Sequence, residues 1–231
     1  VRLDVTDDDE IRAAIDRIER ETGSLDVLVN NAGVFRRSGP LHEMALTDFD
    51  RTTAVNLRGP VAVTKHALPL LLDETGGRVV TLSSGLGRFT EGQMDGGYPA
   101  YRLSKVGVGG LTAYLNAEYG ERGLIANAVS PGWVRTEMGG DDAPRSPAKG
   151  AETPVWLARF APGSPAGKLW KDRERISWLR WPVNRHKRYR SVRNASARGF
   201  APSLLEGCQI ERARRLPVPG ERLVGPSPDH W

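Results

Sequence analysis

The 231-residue sequence predicts an α/β fold built on a parallel sheet. Two observations predict it. Short apolar runs with β-branched residues recur along the first 178 residues, and longer stretches of helical period separate them. Strand and helix in alternation at this spacing make βαβ units, whose strands run parallel. Active sites in such sheets lie beyond the carboxyl ends of the strands.

The expected strands are the runs at Val1 to Val5, Leu25 to Val29, Arg78 to Leu82 and Leu124 to Val129. The first helix spans Asp7 to Glu21, where Thr6 and a run of acidic residues suit a helix start. The second, Thr47 to Leu72, spaces Phe49, Val55, Val61, Ala67 and Leu71 at mixed helical steps. The third, Tyr101 to Tyr119, ends at Gly120 and Gly123. Gly107, Gly109 and Gly110 weaken it by about 1 kcal/mol each relative to alanine, tolerable where another helix packs closely. After Trp178 no period is sustained, and the end is rich in Pro, Gly and Arg. The chain therefore divides into a body, 1–178, and a basic tail, 179–231, expected to be disordered.

Composition excludes several functions. Hydrophobic residues make up 39% and charged residues 26%, the balance of a chain able to bury a sizeable core. No apolar run approaches the roughly 18 residues of a membrane span, and the charged opening does not read as a signal peptide. A single cysteine, Cys208, allows no internal disulfide and fits a reducing, cytoplasmic setting. His42, His66, His186 and His230 show no metal-ligand spacing with one another or with Cys208. The net charge of +5 resides in the tail; the body is near neutral. A basic tail with Trp181 and Tyr189 can attract anions or nucleic acid, but no nucleic-acid fold accompanies it.

Chemistry-bearing residues gather at the expected strand ends. Tyr101 and Lys105 stand at i and i+4 of one helix and so share a face. A nearby ammonium favours phenolate and would lower the phenol's pKa, making a usable general acid/base for an alcohol/carbonyl pair; a plain surface pair is the bland alternative. Ser83-Ser84-Gly85-Leu86-Gly87 follows the third strand, where a hydroxyl can donate to a developing oxyanion. Asn30-Asn31-Ala32-Gly33 follows the second, and Ser130-Pro131-Gly132 the fourth. Each by itself is also an ordinary turn.

In this order and spacing the set resembles the short-chain dehydrogenase/reductase superfamily over residues 1 to about 178. GGYPAYRLSK and SPGWVRTEM are similar to its carbonyl-reductase-like members. The resemblance implies a Rossmann-like, doubly wound parallel sheet and an NADP- or NAD-dependent oxidoreductase that interconverts a small-molecule carbonyl and alcohol. It implies Tyr101 as proton donor, Lys105 on the nicotinamide ribose, Ser84 orienting the carbonyl and Asn56 holding a relay water. Ser83 is the adjacent competitor; Ser84 is preferred because the family pattern reads Ser-x-x-Gly. Asp4 and Val5 would flank the adenine. Asn30, Ala32 and Gly33 would line the adenosine side, and Pro131, Gly132, Val134 and Thr136 the nicotinamide end. A homodimer or homotetramer is expected by the same resemblance.

The family's opening strand, glycine-rich turn and helix, and its second strand and helix, have no counterpart here; no glycine precedes Gly23. The sequence thus reads as an N-terminally truncated, incomplete member lacking the first two strands and the phosphate-binding turn. The residue that selects NAD or NADP falls in that part too, so cofactor choice leans to NADPH by resemblance alone. A non-catalytic binding or scaffold protein is the alternative. Arg88 to Pro99 and Met138 to Pro154 are expected to set substrate choice, the latter as a polar, flexible lid.

Overall fold

The computed structural model describes residues 2–72, 76–90 and 94–180, all within one compact unit, Val1–Asn184. The tail expected to be disordered lies outside the described residues, apart from its first two.

Arg2 to Val5 form no strand, correcting the first expected element. With no neighbouring strand among the described residues to pair its peptides, this stretch satisfies them locally. The Asp4 carbonyl accepts from Asp7 N–H at 3.1 Å, and Asp4 N–H donates to the Glu10 carboxylate at 2.7 Å. Helix α1, Asp8–Thr22, is capped by the Asp7 carboxylate, which accepts from the N–H groups of Asp9 and Glu10. It stops at Gly23, whose φ of 74° needs no Cβ there.

β1, Val27–Asn30, leads to α2, Leu46–Thr53, which continues through a π-turn at Ala54–Arg58 into α3, Gly59–Leu72. β2 spans Arg78–Leu82, and a short β3, Phe89–Thr90, follows it. The long α4, Pro99–Tyr119, precedes β4, Ile125–Val129. α5, Pro147–Ala158, then leads to a hairpin of β5, Leu169–Lys171, and β6, Glu174–Ile176, and to β7, Leu179–Arg180. The main sheet runs β1-β2-β4-β5-β6; its first four strands are parallel and β6 is antiparallel to β5. β3 and β7 pair apart from it.

Strand alternation decides which helix covers which face. Val79 and Ala126 point to one side, where they bury against Ala67 and Leu71 of α3 and Leu115 of α4. Val80, Ile125 and Val129 point to the other, against Leu157 and Phe160 at α5, with Trp170. Helices on both faces of a parallel sheet make the doubly wound architecture that the sequence predicts. β1 has a strand neighbour on one side only among the described residues, and Val29 is 45% exposed.

The α4 glycines answer to different neighbours. A Cβ at Gly107 would stand 2.7 Å from the Leu57 side chain of the π-turn, and one at Gly109 2.7 Å from the Trp178 indole. Gly110 faces open space, and no packing accounts for it.

Candidate active site

The site is built where β2 ends against α4. After Leu82 the chain turns outward, and the two serines part. Ser83 Oγ donates to the Lys105 carbonyl at 3.3 Å and is buried. Ser84 instead begins a single 3₁₀ turn, Gly85–Gly87, its Oγ accepting from Leu86 N–H at 3.1 Å, and its hydroxyl lies near enough to the Tyr101 phenol to favour the phenolate. Local geometry thus separates the two candidates. Gly87 closes the turn against α4: a Cβ there would stand 2.7 Å from the carbonyl carbon of Lys105. The Ser-x-x-Gly spacing is what lets helix and turn meet.

Tyr101 and Lys105 do share one face of α4. Nζ lies 5.5 Å from the Tyr101 ring centroid and donates to the Leu82 carbonyl at 2.8 Å. Lys105 is only 5% exposed, and burial lowers its pKa to about 8. The phenol does not behave as the sequence suggests. Burial raises its pKa, the nearby Ser84 hydroxyl opposes that rise, and the ammonium contributes no resolved lowering. Desolvation of the phenolate outweighs attraction to a lysine that is itself losing its charge. Phe35 packs edge-on to the Tyr101 ring, centroids 4.9 Å apart, and Tyr98 lies 5.0 Å from Phe35.

Asn56 sits in the π-turn, 1% exposed. Its Oδ1 accepts from Val34 N–H at 2.7 Å, and Nδ2 donates to the Val34 carbonyl at 2.8 Å and to Ser104 Oγ at 3.3 Å. Both amide hydrogens are therefore taken by protein groups; the side chain bolts the segment after Gly33 onto the α2–α3 helix. π-turns of this kind occur often at functional sites. Gly33 faces the same centre, an added Cβ standing 3.4 Å from Asn56 Oδ1 and 3.9 Å from Lys105 Nζ.

The remaining expected residues divide. Asn30 turns its carboxamide inward, to Thr64 Oγ1 at 3.0 Å and Thr81 Oγ1 at 3.4 Å, so only its backbone can face a ligand. Ala32 is exposed beside Gly33. Asp4 is exposed, its carboxylate accepting from Thr6 N–H and Oγ1; the Thr6 backbone bond chiefly lowers its pKa. Val5 packs on Gly59 of α3.

Pro131 and Gly132 follow β4, Gly132 at φ 84°, a conformation that favours glycine. Arg145 holds this turn. Its guanidinium donates to the Pro131 carbonyl at 3.4 Å and forms a bidentate pair with Asp172 at 2.5 and 2.7 Å. Val134 and Arg145 bridge, and Thr136 Oγ1 accepts from Gly139 N–H. The flexible lid expected at 138–154 is instead a tethered loop whose second half is α5, capped by Ser146. The sequence reading missed Phe35 and Arg145, whose partners are distant in sequence, and Arg102, whose acceptors are backbone carbonyls 5 to 16 residues back.

A family model described as enoyl-(acyl carrier protein) reductase matches residues 1–160. The chain belongs to the short-chain dehydrogenase/reductase superfamily. Within that family, carbonyl reductase [NADPH] 1 of Rattus norvegicus is 33% identical, the match covering 77% of this chain and 78% of the relative. The uncharacterized oxidoreductase YxbG of Bacillus subtilis is 37% identical over 59% of this chain and 48% of its own length. The chain spans about half the length of the first curated relatives it matches. Among solved structures, carbonyl reductase Sniffer of D. melanogaster superposes with a TM-score of 0.66 at 26% identity, over 73% of each chain. An NADPH-bound carbonyl reductase from chicken fatty liver gives 0.65 at 26% identity, over 73% of this chain and 72% of that one.

A nicotinamide ribose suits the centre of this short-chain dehydrogenase/reductase site. Lys105 Nζ has three N–H groups and one hydrogen bond, and Gly33 places no side chain between it and a ligand. The pyrophosphate finds no equivalent: among the described residues no glycine-rich turn leads from a strand into a helix N-terminus, and α1 opens with three acidic side chains. Among the described residues no group of three metal-ligating side chains occurs, and no helix is long and apolar enough to cross a membrane.

Proposed function

We propose that the protein is a cytoplasmic NAD(P)(H)-dependent oxidoreductase interconverting a small-molecule carbonyl and its alcohol, with Tyr101 as general acid/base. The observation that carries this reading is the Tyr101 phenol beside the Ser84 hydroxyl, with the buried Lys105 Nζ 5.5 Å from the Tyr101 ring at the end of β2. The bound nicotinamide would supply or accept the hydride. Lys105 would hold its ribose, Gly33 and Ala32 would leave room on the adenosine side with the Asn30 backbone, and Pro131, Gly132, Val134 and Thr136 would border the carboxamide. Asp4 and Val5 would border the adenine.

In the reducing direction, Tyr101 gives its hydroxyl proton to the carbonyl oxygen, and Ser84 orients that oxygen by a hydrogen bond. A phenol whose pKa burial raises stays protonated at neutral pH, as an acid must. Lys105, near half-charged at pH 8, is placed to return a proton towards the phenolate, and a water at Asn56 would relay protons between Lys105 and solvent. NADPH is favoured over NADH because two of the relatives named as carbonyl reductases, that of Rattus norvegicus and that of chicken fatty liver, carry NADPH in their names. A homodimer or homotetramer is the proposed assembly, and 1–178 the proposed catalytic domain, with the tail outside it.

A second reading, a binding or scaffold protein, draws on β1, which among the described residues pairs on one side only and leaves Val29 exposed. Fluorescence titration with NADPH and NADH separates the two, run on this chain and on the chain extended upstream by a βαβ segment with a glycine-rich turn. Binding by the extended form, with carbonyl-dependent NADPH oxidation, is expected. Binding by neither favours the scaffold reading, and tight binding by both overturns the account of the phosphate end.

A further inference from the structure

Arg102 directly follows Tyr101, yet it points away from solvent and is 6% exposed. A guanidinium taken out of water must place its N–H groups on protein acceptors. Nε donates to the Gly97 carbonyl at 2.8 Å, Nη2 to the Gly96 carbonyl at 3.0 Å and Nη1 to the Leu86 carbonyl at 3.2 Å. The carboxylate of Asp95 is 4.0 Å away and largely exposed, so backbone carbonyls are the main acceptors.

Those three carbonyls belong to the two segments that carry the reacting hydroxyls. The Leu86 peptide is held from both ends, its carbonyl by Arg102 and its N–H by Ser84 Oγ. Gly96 and Gly97 lead into Tyr98, which sits at φ 53°, ψ 49° at the start of α4. That left-handed conformation is strained for a residue with a Cβ and persists where surroundings impose it. Arg102 N–H donates to the Tyr98 carbonyl at 3.0 Å, closing the first turn of the helix that carries Tyr101. One residue thus ties the Ser84 turn to the entry of the Tyr101 helix.

We propose that Arg102 is a positioning residue that fixes the Ser84 hydroxyl relative to the Tyr101 phenol by gripping the Leu86 peptide and the Gly96–Gly97 carbonyls together. The proposal rests on Ser84 and Tyr101 being the reacting pair. A planar fork can serve acceptors on two segments at once, which the compact ammonium of a lysine does less well.

Spectrophotometric titration of tyrosinate tests it on the full chain without cofactor or turnover, Tyr101 being read as the difference from a Tyr101→Phe variant. Ser84 opposes the effect of burial on the phenol, so Arg102→Met should raise the Tyr101 midpoint and Arg102→Lys raise it less. In a Ser84→Ala background Arg102→Met should add nothing. No shift, or an equal shift with and without Ser84, overturns the proposal. If circular dichroism shows Arg102→Met unfolded, Arg102→Lys supplies the same contrast: a rise that vanishes in Ser84→Ala supports the proposal, and its absence or persistence overturns it. Failure of the oxidoreductase reading would look different, as an intact Arg102–Ser84 coupling in a protein without turnover.

Discussion

Between β2 and α4 the candidate chemistry is locked from several directions, whereas the residues expected beside the nucleotide, the buried Asn30 excepted, are exposed or held by few contacts. Lys105, Asn56 and Ser83 are buried and each bonds to a group distant in sequence. Asp4 and Ala32 are exposed, and Val5 rests on one glycine of α3. The difference teaches where this chain stores its preorganisation. Catalytic groups need fixed geometry to be useful, and here the interior of a doubly wound sheet supplies it. A nucleotide site at an edge strand depends on what lies beyond that edge.

The largest expected contrast is chemical. Tyr101→Phe, in a chain that also carries a phosphate-binding segment, should lower turnover by about 10²–10⁴-fold while leaving cofactor affinity nearly unchanged. Steady-state kinetics beside a binding titration checks both, and retained turnover would remove Tyr101 from its role.

Next comes the packing of the locked side. Gly87→Ala drives a methyl to within 2.7 Å of the Lys105 backbone, and the forced separation of turn and helix should cost about 1–3 kcal/mol. Urea unfolding at neutral pH reads it; an unchanged midpoint would mean that α4 backs away freely and the site is less rigid than described.

The buried ammonium gives a pH signature. Burial lowers Lys105 from 10.5 to about 8 in the folded protein, so above about 8 the unfolded chain binds the extra proton and stability rises with pH. Tyr101, raised above 10.0 by burial, acts oppositely once the unfolded phenol ionises. Between about pH 8 and 10, unmodified protein should therefore gain about 1–2 kcal/mol relative to Lys105→Met. Parallel stability profiles of the two proteins would contradict this.

The smallest effect sharpens the open side. Gly33→Ala meets only ordinary contacts, 3.4 Å from Asn56 Oδ1, and should change stability by less than about 0.5 kcal/mol. The same methyl faces Lys105 and should weaken NADPH binding by the extended chain. A large stability loss with unaltered binding would reverse the assignment of that face.

Much of this was legible in one dimension. The apolar runs at 78–82 and 124–129 mark β2 and β4 closely because a strand buried on both faces leaves no polar alternation. Arg2 to Val5 misled for the opposite reason: β-branched residues state a preference, and only a neighbouring strand makes a strand of them. The Tyr101–Lys105 pair followed from helical period, but the direction of the phenol's pKa did not, since it depends on how much water the fold leaves at the ring. Arg102 and Arg145 gave no signal, because their acceptors are backbone carbonyls and a carboxylate that only folding gathers.

The sequence by itself determined the parallel α/β layering, the shared face of Tyr101 and Lys105, and family membership, all of which depend on local period and residue order. Tertiary structure alone decided which serine meets the phenol, that Lys105 titrates near 8, and which carbonyls Arg102 grips. Those are matters of burial and of contacts between separate segments of the chain, and no local pattern encodes the dielectric or the distance that folding brings about.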